Sequence, residues 1–136
     1  MRPTASDALA LRTSEVTYPG AAERIRAVRA DLRLLLHGCP MADEVILCAS
    51  ELAANPALHS NSRLPGGTFT IRAEISPSHY ARIEVEDNGG PWTPKITDST
   101  GHHGWDIVRA LATDWGIDDD RATRTNWARF DWIGHP

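Results

Sequence analysis

Residues 69–87 read FTIRAEISPSHYARIEVED, and this stretch decides the fold of the chain. Apolar residues occupy every second position on both sides of a central turn, which is typical of two strands that each bury one face. The apolar set consists of Phe69, Ile71, Ala73, Ile75, Ala81, Ile83 and Val85. Residues 76–79, SPSH, are turn formers, so we predict a β-hairpin with one face on a hydrophobic core.

Helical and strand patterns flank this hairpin on both sides. Apolar residues recur at three- and four-residue steps over 21–37 and 41–59, and a shorter helix is predicted over 104–113. Residues 11–18 alternate as a short strand, and 115–133 predict a final pair of strands around an Asp-rich turn. This order of elements predicts an α+β two-layer sandwich, in which three helices cover one face of a mostly antiparallel sheet.

The composition indicates a single globular domain over residues 1–136. A formal net charge of -4 disfavours binding to nucleic acid or to an anionic membrane. The longest apolar run, 45–50, is too short to span a bilayer, and residues 1–16 lack the apolar core of a signal peptide. We therefore expect a cytoplasmic protein.

The cysteines and lysines exclude some kinds of site. Cys39 and Cys48 are too few for a disulfide framework and lack metal-binding spacing, so both are interpreted as reduced core residues. Lys95 is the only lysine, and the G-K-[ST] sequence of a P-loop is absent. Lys95 falls in the long loop predicted over 88–103, where it either reaches a phosphate or is solvated.

Asp87 is the first candidate for a functional residue. Alternation puts it on the same side of its strand as Ile83 and Val85, which is the side predicted to meet the helices. A carboxylate buried there is costly unless something pairs with it. The alternative is that Asp87 only begins the turn at 87–89.

Glu51 and Asn55 stand four residues apart and so share one stripe of a helix. A carboxylate and a carboxamide oxygen suit Mg²⁺, and the Glu51 carboxylate is also able to accept a proton from an attacking hydroxyl. The alternative is a solvated polar stripe.

Residues 101–108, GHHGWDIV, place a glycine-flanked turn at the start of a helix. Backbone N–H groups at a helix start bind phosphate. His102 and His103 supply further donors or, less readily, a metal site.

Taken in order, SELAANPALHS (50–60), EDNGGP (86–91) and GHHGWDIVRALA (101–112) resemble the N, G1 and G2 boxes of the histidine-kinase-like (GHKL) ATPase superfamily. Within it, the likeness is to bacterial anti-sigma regulatory factors of the serine-protein-kinase type. The resemblance covers nearly the whole chain and implies the Bergerat α/β sandwich.

The resemblance implies a role for each matching residue toward the purine base. Asp87 matches the aspartate that reads the adenine amino group, and Gly89 and Pro91 shape the floor beneath the base. Thr125 resembles the threonine that supports the adenine.

Other matching residues imply roles toward the phosphates. Asn55 matches the asparagine that holds Mg²⁺, and Glu51 matches the general base. Gly104 matches the second glycine of the G2 box, whose backbone approaches the phosphates next to His103.

Two departures from the family pattern bear on these roles. The box GxGL reads His102-His103-Gly104-Trp105 here, so a histidine replaces its first glycine. Pro56 lacks an N–H and disfavours helical angles at Asn55. We therefore expect either a kink at Pro56 or an Asn55 side chain turned from its expected position.

By resemblance, the chain is an ATP-binding, Mg²⁺-dependent regulatory protein with serine/threonine kinase activity on a small antagonist protein. The implied partners are ATP or ADP and a sigma factor, an anti-sigma antagonist or both, and a homodimer is left open. The alternatives are a nucleotide-binding module without phosphotransfer and a degenerate protein-interaction scaffold.

Overall fold

The computed structural model describes residues 10–59, 66–88, 104–119 and 123–132. Within these ranges, five strands form one sheet, and three α-helices accompany it. The strands are β1 (Arg12–Pro19), β2 (Thr68–Ser76), β3 (Tyr80–Asp87), β4 (Asp114–Asp119) and β5 (Arg124–Asp131). The helices are α1 (Ile25–Leu35), which follows a short 3₁₀ helix (Ala22–Arg24), α2 (Ala42–His59) and α3 (Gly104–Leu111).

The strands are arranged in the order β1-β2-β3-β5-β4, and each neighbouring pair is antiparallel. The hairpin predicted from residues 69–87 is β2 and β3, whose register pairs Ile75 with Ala81 and Phe69 with Asp87. The amide of His79 donates to the carbonyl oxygen of Ser76 at 2.9 Å and closes the turn. The last strand in sequence, β5, lies inside the sheet between β3 and β4.

The hydrophobic core lies between the sheet and the helices. Helix α2 packs against β2, β3 and β5 and also contacts α1 and α3. The alternating apolar side chains of β2 and β3 are all buried, together with Val45, Cys48, Ala49, Leu52 and Ala53 of α2. The predicted α+β two-layer sandwich is therefore confirmed.

The end of α1 is joined to the first strand through Arg12. Its Nη1 atom donates to the carbonyl oxygens of Leu35 and His37 at 2.8 and 2.9 Å. The last carbonyl groups of a helix lack helical partners and attract positive charge, so this guanidinium stabilises the helix end. Gly38, with φ +79°, then turns the chain out of the helix in a conformation that favours glycine.

The helices differ from their predicted bounds at two places. The helix predicted from residue 21 begins as a 3₁₀ turn, closed by a 3.0 Å hydrogen bond from the Arg24 amide to the Ala21 carbonyl oxygen. The α2 backbone stays helical through Asn55 and Pro56 to His59. Asn55 is therefore not turned out of the helix, although the Leu52 carbonyl oxygen has no N–H of residue 56 to accept from.

The face of the sheet away from the helices is polar and carries a network of charges. Arg72 forms ion pairs with Glu84 and Glu86 at 2.9 and 2.8 Å, and Arg82 also pairs with Glu84. The Arg82 guanidinium stacks 4.7 Å from the centroid of the Trp127 ring. The charged side chains of this network are partly exposed, with 25–36% of their area accessible to solvent.

Among the described residues, no helix combines the length and the apolar character that crossing a membrane would require.

Candidate functional site

Asp87 is the last residue of β3, and its side chain lies on the helix-facing side of the sheet. Only 2% of the residue is accessible to solvent. Its neighbours at alternate positions, Ile83 and Val85, are fully buried on the same side. The inward orientation inferred from alternation is therefore observed, and a carboxylate is held at the edge of the core.

Arg124 lies directly opposite Asp87 as its cross-strand partner in β5. It is 4% accessible and shares the helix-facing side. Directly opposed residues have Cβ atoms about 5 Å apart, so the two opposite charges offset part of each other's burial cost. Arg124 was not identified from the sequence. The available signal was alternation along β5, which puts Arg124 on the same side as the buried residues Ala128 and Phe130.

Asn126 is the third polar residue on this side of the sheet, and it is fully buried. Its carboxamide nitrogen and oxygen have no hydrogen-bond partner among the described residues. Its cross-strand neighbours are Val85 in β3 and Ile117 in β4, neither of which offers a polar side chain. We call Asp87, Arg124 and Asn126 the interior polar row.

Trp105 of α3 belongs to the same interior. It is 5% accessible, and its indole Nε1 has no hydrogen-bond partner within the described ranges. Its ring packs against Trp115 of β4 with centroids 5.4 Å apart. The stacked Tyr18 and Phe69 rings lie on the other side of Asp87, because Tyr18 pairs with Phe69 and Phe69 with Asp87 across the strands.

Thr125 does not share the side occupied by Asp87. Its cross-strand partner in β3 is Glu86, which belongs to the polar network on the open face. Side chains alternate along a strand, so Thr125 faces away from the core while Arg124 and Asn126 face into it. The helix-facing side of this part of β5 belongs to its two neighbours, and the role of Thr125 toward a bound base stays a prediction.

Glu51 lies in a groove of about 660 Å³ between α1 and α2. The lining residues are Ala22, Glu23, Ile25, Arg26, Arg29, Ser50, Glu51 and Ala54. The Arg29 Nε atom donates to the Ser50 hydroxyl oxygen at 3.0 Å, and that hydroxyl donates to the Ile46 carbonyl oxygen at 2.8 Å. Asp87 is not among the described residues that line this groove.

The other predicted site residues are described in part or lie outside the described ranges. Asn55 is in α2, but its side chain is outside what the structure describes. Gly104 is the first residue of α3, as its predicted place at a helix start requires. Gly89, Pro91 and His103 lie outside the described residues.

No group of three or more His, Cys, Asp or Glu side chains is arranged to hold a metal ion within the described ranges. The predicted Mg²⁺ ligand is a carboxamide, so this observation does not bear on it.

Both cysteines are buried, free thiols. Burial, with smaller contributions from the nearby Glu51 and Glu44 carboxylates, raises the pKa of the Cys48 thiol to about 12. Burial also raises the pKa of Cys39, although the Arg12 charge opposes the shift. Their interpretation as reduced core residues agrees with these positions.

The interior polar row has a defined recognition chemistry. An ionised carboxylate only accepts hydrogen bonds, a guanidinium only donates them, and a carboxamide does both. Together they can match the edge of a heterocycle that carries an amino group beside a ring nitrogen.

No protein-family model matches the sequence, and no curated protein matches it. The fold is similar to the crystal structure of the RsbU and RsbW domains of Rv1364c from Mycobacterium tuberculosis, with a TM-score of 0.70 and 19% sequence identity. The similarity covers 88% of this chain and 32% of that one, so this chain spans only part of the solved protein. At that identity, the likeness establishes a shared α+β fold.

Proposed function

We propose that this protein binds ATP with Mg²⁺ and acts as an anti-sigma-type regulator with serine/threonine kinase activity on a small antagonist protein. The observation that carries the proposal is the inward-facing Asp87, at the end of β3 in a fold similar to a structure that includes an RsbW domain. Three boxes of the resembled superfamily also occur in the required order along the chain.

The residues around Asp87 are suited to a purine. The buried carboxylate accepts hydrogen bonds in a low-dielectric setting, where such bonds are strong. The amino group of a bound adenine is a hydrogen-bond donor, and the Asp87 carboxylate can accept from it. Arg124 places a positive charge directly across the strands from this carboxylate.

Glu51 is suited to receive a proton from a protein substrate. Its groove between α1 and α2 is open to the surface, so a serine or threonine hydroxyl on a partner can approach it. Arg26 and Arg29 in the same groove, which Glu23 also lines, are donors for polar or charged groups of that partner. Bound Mg²⁺-ATP would supply the transferred phosphoryl group and neutralise its developing charge.

A second candidate is a regulatory module that holds a nucleotide, or a partner protein alone, without phosphotransfer. The observation that favours it is Arg124, a buried cation that lies directly across the strands from the carboxylate residue that a base would need. In this case the sigma factor or the antagonist is bound without being modified.

Calorimetric titration with ATP, ADP and GTP, with and without Mg²⁺, tests the nucleotide proposal. We expect ATP to bind the unmodified chain and Asp87→Asn to bind it at least about 10-fold more weakly, because the amide nitrogen opposes a donor on the base. Asp118→Asn, on the exposed side of β4, is the matched control and should bind normally. Equal ATP binding by the Asp87 variant and the control would refute the role of Asp87.

Phosphate transfer from labelled ATP to candidate antagonist proteins tests the kinase proposal. We expect Glu51→Gln to lose transfer while its ATP affinity is unchanged, and Glu44→Gln, on the same helix, to transfer normally. Nucleotide-dependent partner binding without any transfer by the unmodified chain would favour the second candidate.

A further inference from the structure

We infer that Asn126 is a base-recognition residue, whose carboxamide pairs with the amino group and the N7 atom of adenine. The inference rests on the proposed binding of ATP and adds a residue that none of the sequence motifs identified.

The first observation is the state of the side chain. Asn126 is fully buried, and neither its nitrogen nor its oxygen has a hydrogen-bond partner among the described residues. Buried polar groups in native proteins nearly always have partners, because an unmet donor or acceptor destabilises the fold. A buried carboxamide whose nitrogen and oxygen both lack hydrogen-bond partners therefore indicates a ligand that supplies the missing acceptor and donor.

The second observation is its place beside Asp87. Asp87 faces Arg124 across β3 and β5, and Val85 faces Asn126, so Asn126 is the diagonal neighbour of Asp87. Diagonal neighbours on one face lie about 7–8 Å apart, which a planar base is able to bridge.

Asn126 lies near the end of the sheet that holds Asp87 and Arg124. β3 ends at Asp87 and β5 begins at Arg124. Asn126 lies two residues further in, which is about 7 Å along the strand. On this inference, a base that enters at this end of the sheet meets the Asp87–Arg124 pair before Asn126 and displaces the Arg124 side chain.

The chemistry of the carboxamide selects the edge of the base. An Asn side chain pairs with adenine through two bonds, in which its oxygen accepts from the N6 amino group and its nitrogen donates to N7. Asp87 accepts the other amino hydrogen. Guanine presents an oxygen in place of the amino group, so the Asn126 oxygen would face another acceptor.

The first test uses the unmodified protein and needs no substitution. Binding of ATP, GTP and 7-deaza-ATP, which lacks the N7 acceptor, is measured by calorimetry. We expect 7-deaza-ATP and GTP each to bind at least about 10-fold more weakly than ATP. Equal affinities for ATP and 7-deaza-ATP would overturn the inference, whereas no binding of any nucleotide would refute the proposed function and the inference together.

The second test compares Asn126→Leu with Ile83→Val, a conservative change on the same buried face. We expect the Leu variant without ligand to melt at the same or a higher temperature, because two unmet polar atoms are removed, and to bind ATP at least about 10-fold more weakly. Ile83→Val should bind ATP normally.

The opposite results would show that the Asn126 carboxamide serves the stability of the fold and does not recognise the base. If Asn126→Leu melts at a much lower temperature or fails to fold, or if it binds ATP within twofold of the unmodified chain, the inference is wrong. ATP binding by the unmodified chain would still support the proposed function in each of these cases.

Discussion

Asp87 and Arg124 face each other across β3 and β5, with 2% and 4% of each residue accessible to solvent. A buried charge is tolerated when an opposite charge is close, and removal of one partner leaves the other uncompensated. This relationship makes the candidate site and the stability of the fold interdependent, so variants at Asp87 have to be tested for both.

Replacement of Asp87 alone should destabilise the protein, whereas replacement of the pair should not. We expect Asp87→Leu to lower the free energy of unfolding by about 3–5 kcal/mol, and Asp87→Leu/Arg124→Met to recover most of that loss. Urea unfolding of the single and double variants measures the coupling between the two residues. Strictly additive effects would show that the two charges do not compensate each other.

Replacement of Pro56 should strengthen both the helix and Mg²⁺-dependent binding. In Pro56→Ala, the new amide can donate to the Leu52 carbonyl oxygen within α2, which we expect to raise the free energy of unfolding by roughly 1–3 kcal/mol. The Asn55 backbone is then free of the bias that a following proline imposes, so Mg²⁺-ATP should bind more tightly in calorimetry. If the variant binds Mg²⁺-ATP no more tightly, Pro56 does not weaken the site.

The polar network on the open face should make stability fall in acid. Burial alone would raise the pKa of Glu84, but hydrogen bonds from Arg72 and Arg82 outweigh it and hold that pKa below its usual value. The resulting stabilisation is complete above the pKa of the unfolded chain, about 4.3, and is lost as the pH falls through the lower folded pKa. Unfolding curves between pH 7 and pH 3 should show a decline that Glu84→Gln reduces by about 1 kcal/mol.

Gly116 should resist replacement because of Trp127. The two residues are cross-strand partners, and a Cβ atom at Gly116 would lie 2.7 Å from the Cε2 and Nε1 atoms of the indole. We expect Gly116→Ala to cost about 1–3 kcal/mol, since the ring must leave its stack with Arg82. In a Trp127→Leu background the same change should be neutral or stabilising, because alanine loses less backbone entropy than glycine. An equal cost in both backgrounds would exclude this contact as the cause.

The two cysteines should be unreactive in the native state. Cys48 is fully buried, with a pKa raised to about 12, and Cys39 is 8% accessible with a raised pKa. The thiolate is the reactive form, so an aromatic disulfide reagent at pH 8 should label neither thiol in the folded protein and both in urea. Rapid labelling of the native protein would show that the helical layer opens.

The alternation of apolar and polar residues predicted the strands well, because a sheet that buries one face requires this pattern. The positions of Phe69 to Val85 and the inward orientation of Asp87 follow from parity alone. The same reasoning applied to β5 separates Thr125 from Arg124 and Asn126, whereas the family resemblance drew attention to Thr125 alone. The groove around Glu51 could not be predicted, because it depends on how α1 packs against α2.

The position of β5 inside the sheet also affects how the sheet forms while the protein is being synthesised. Until β5 has left the ribosome, β3 is an edge strand with unpaired backbone groups and an incompletely covered apolar face. The nascent hairpin therefore passes through a stage at which it can pair with other chains, and a chaperone that shields β3 would protect it until the inner strand arrives.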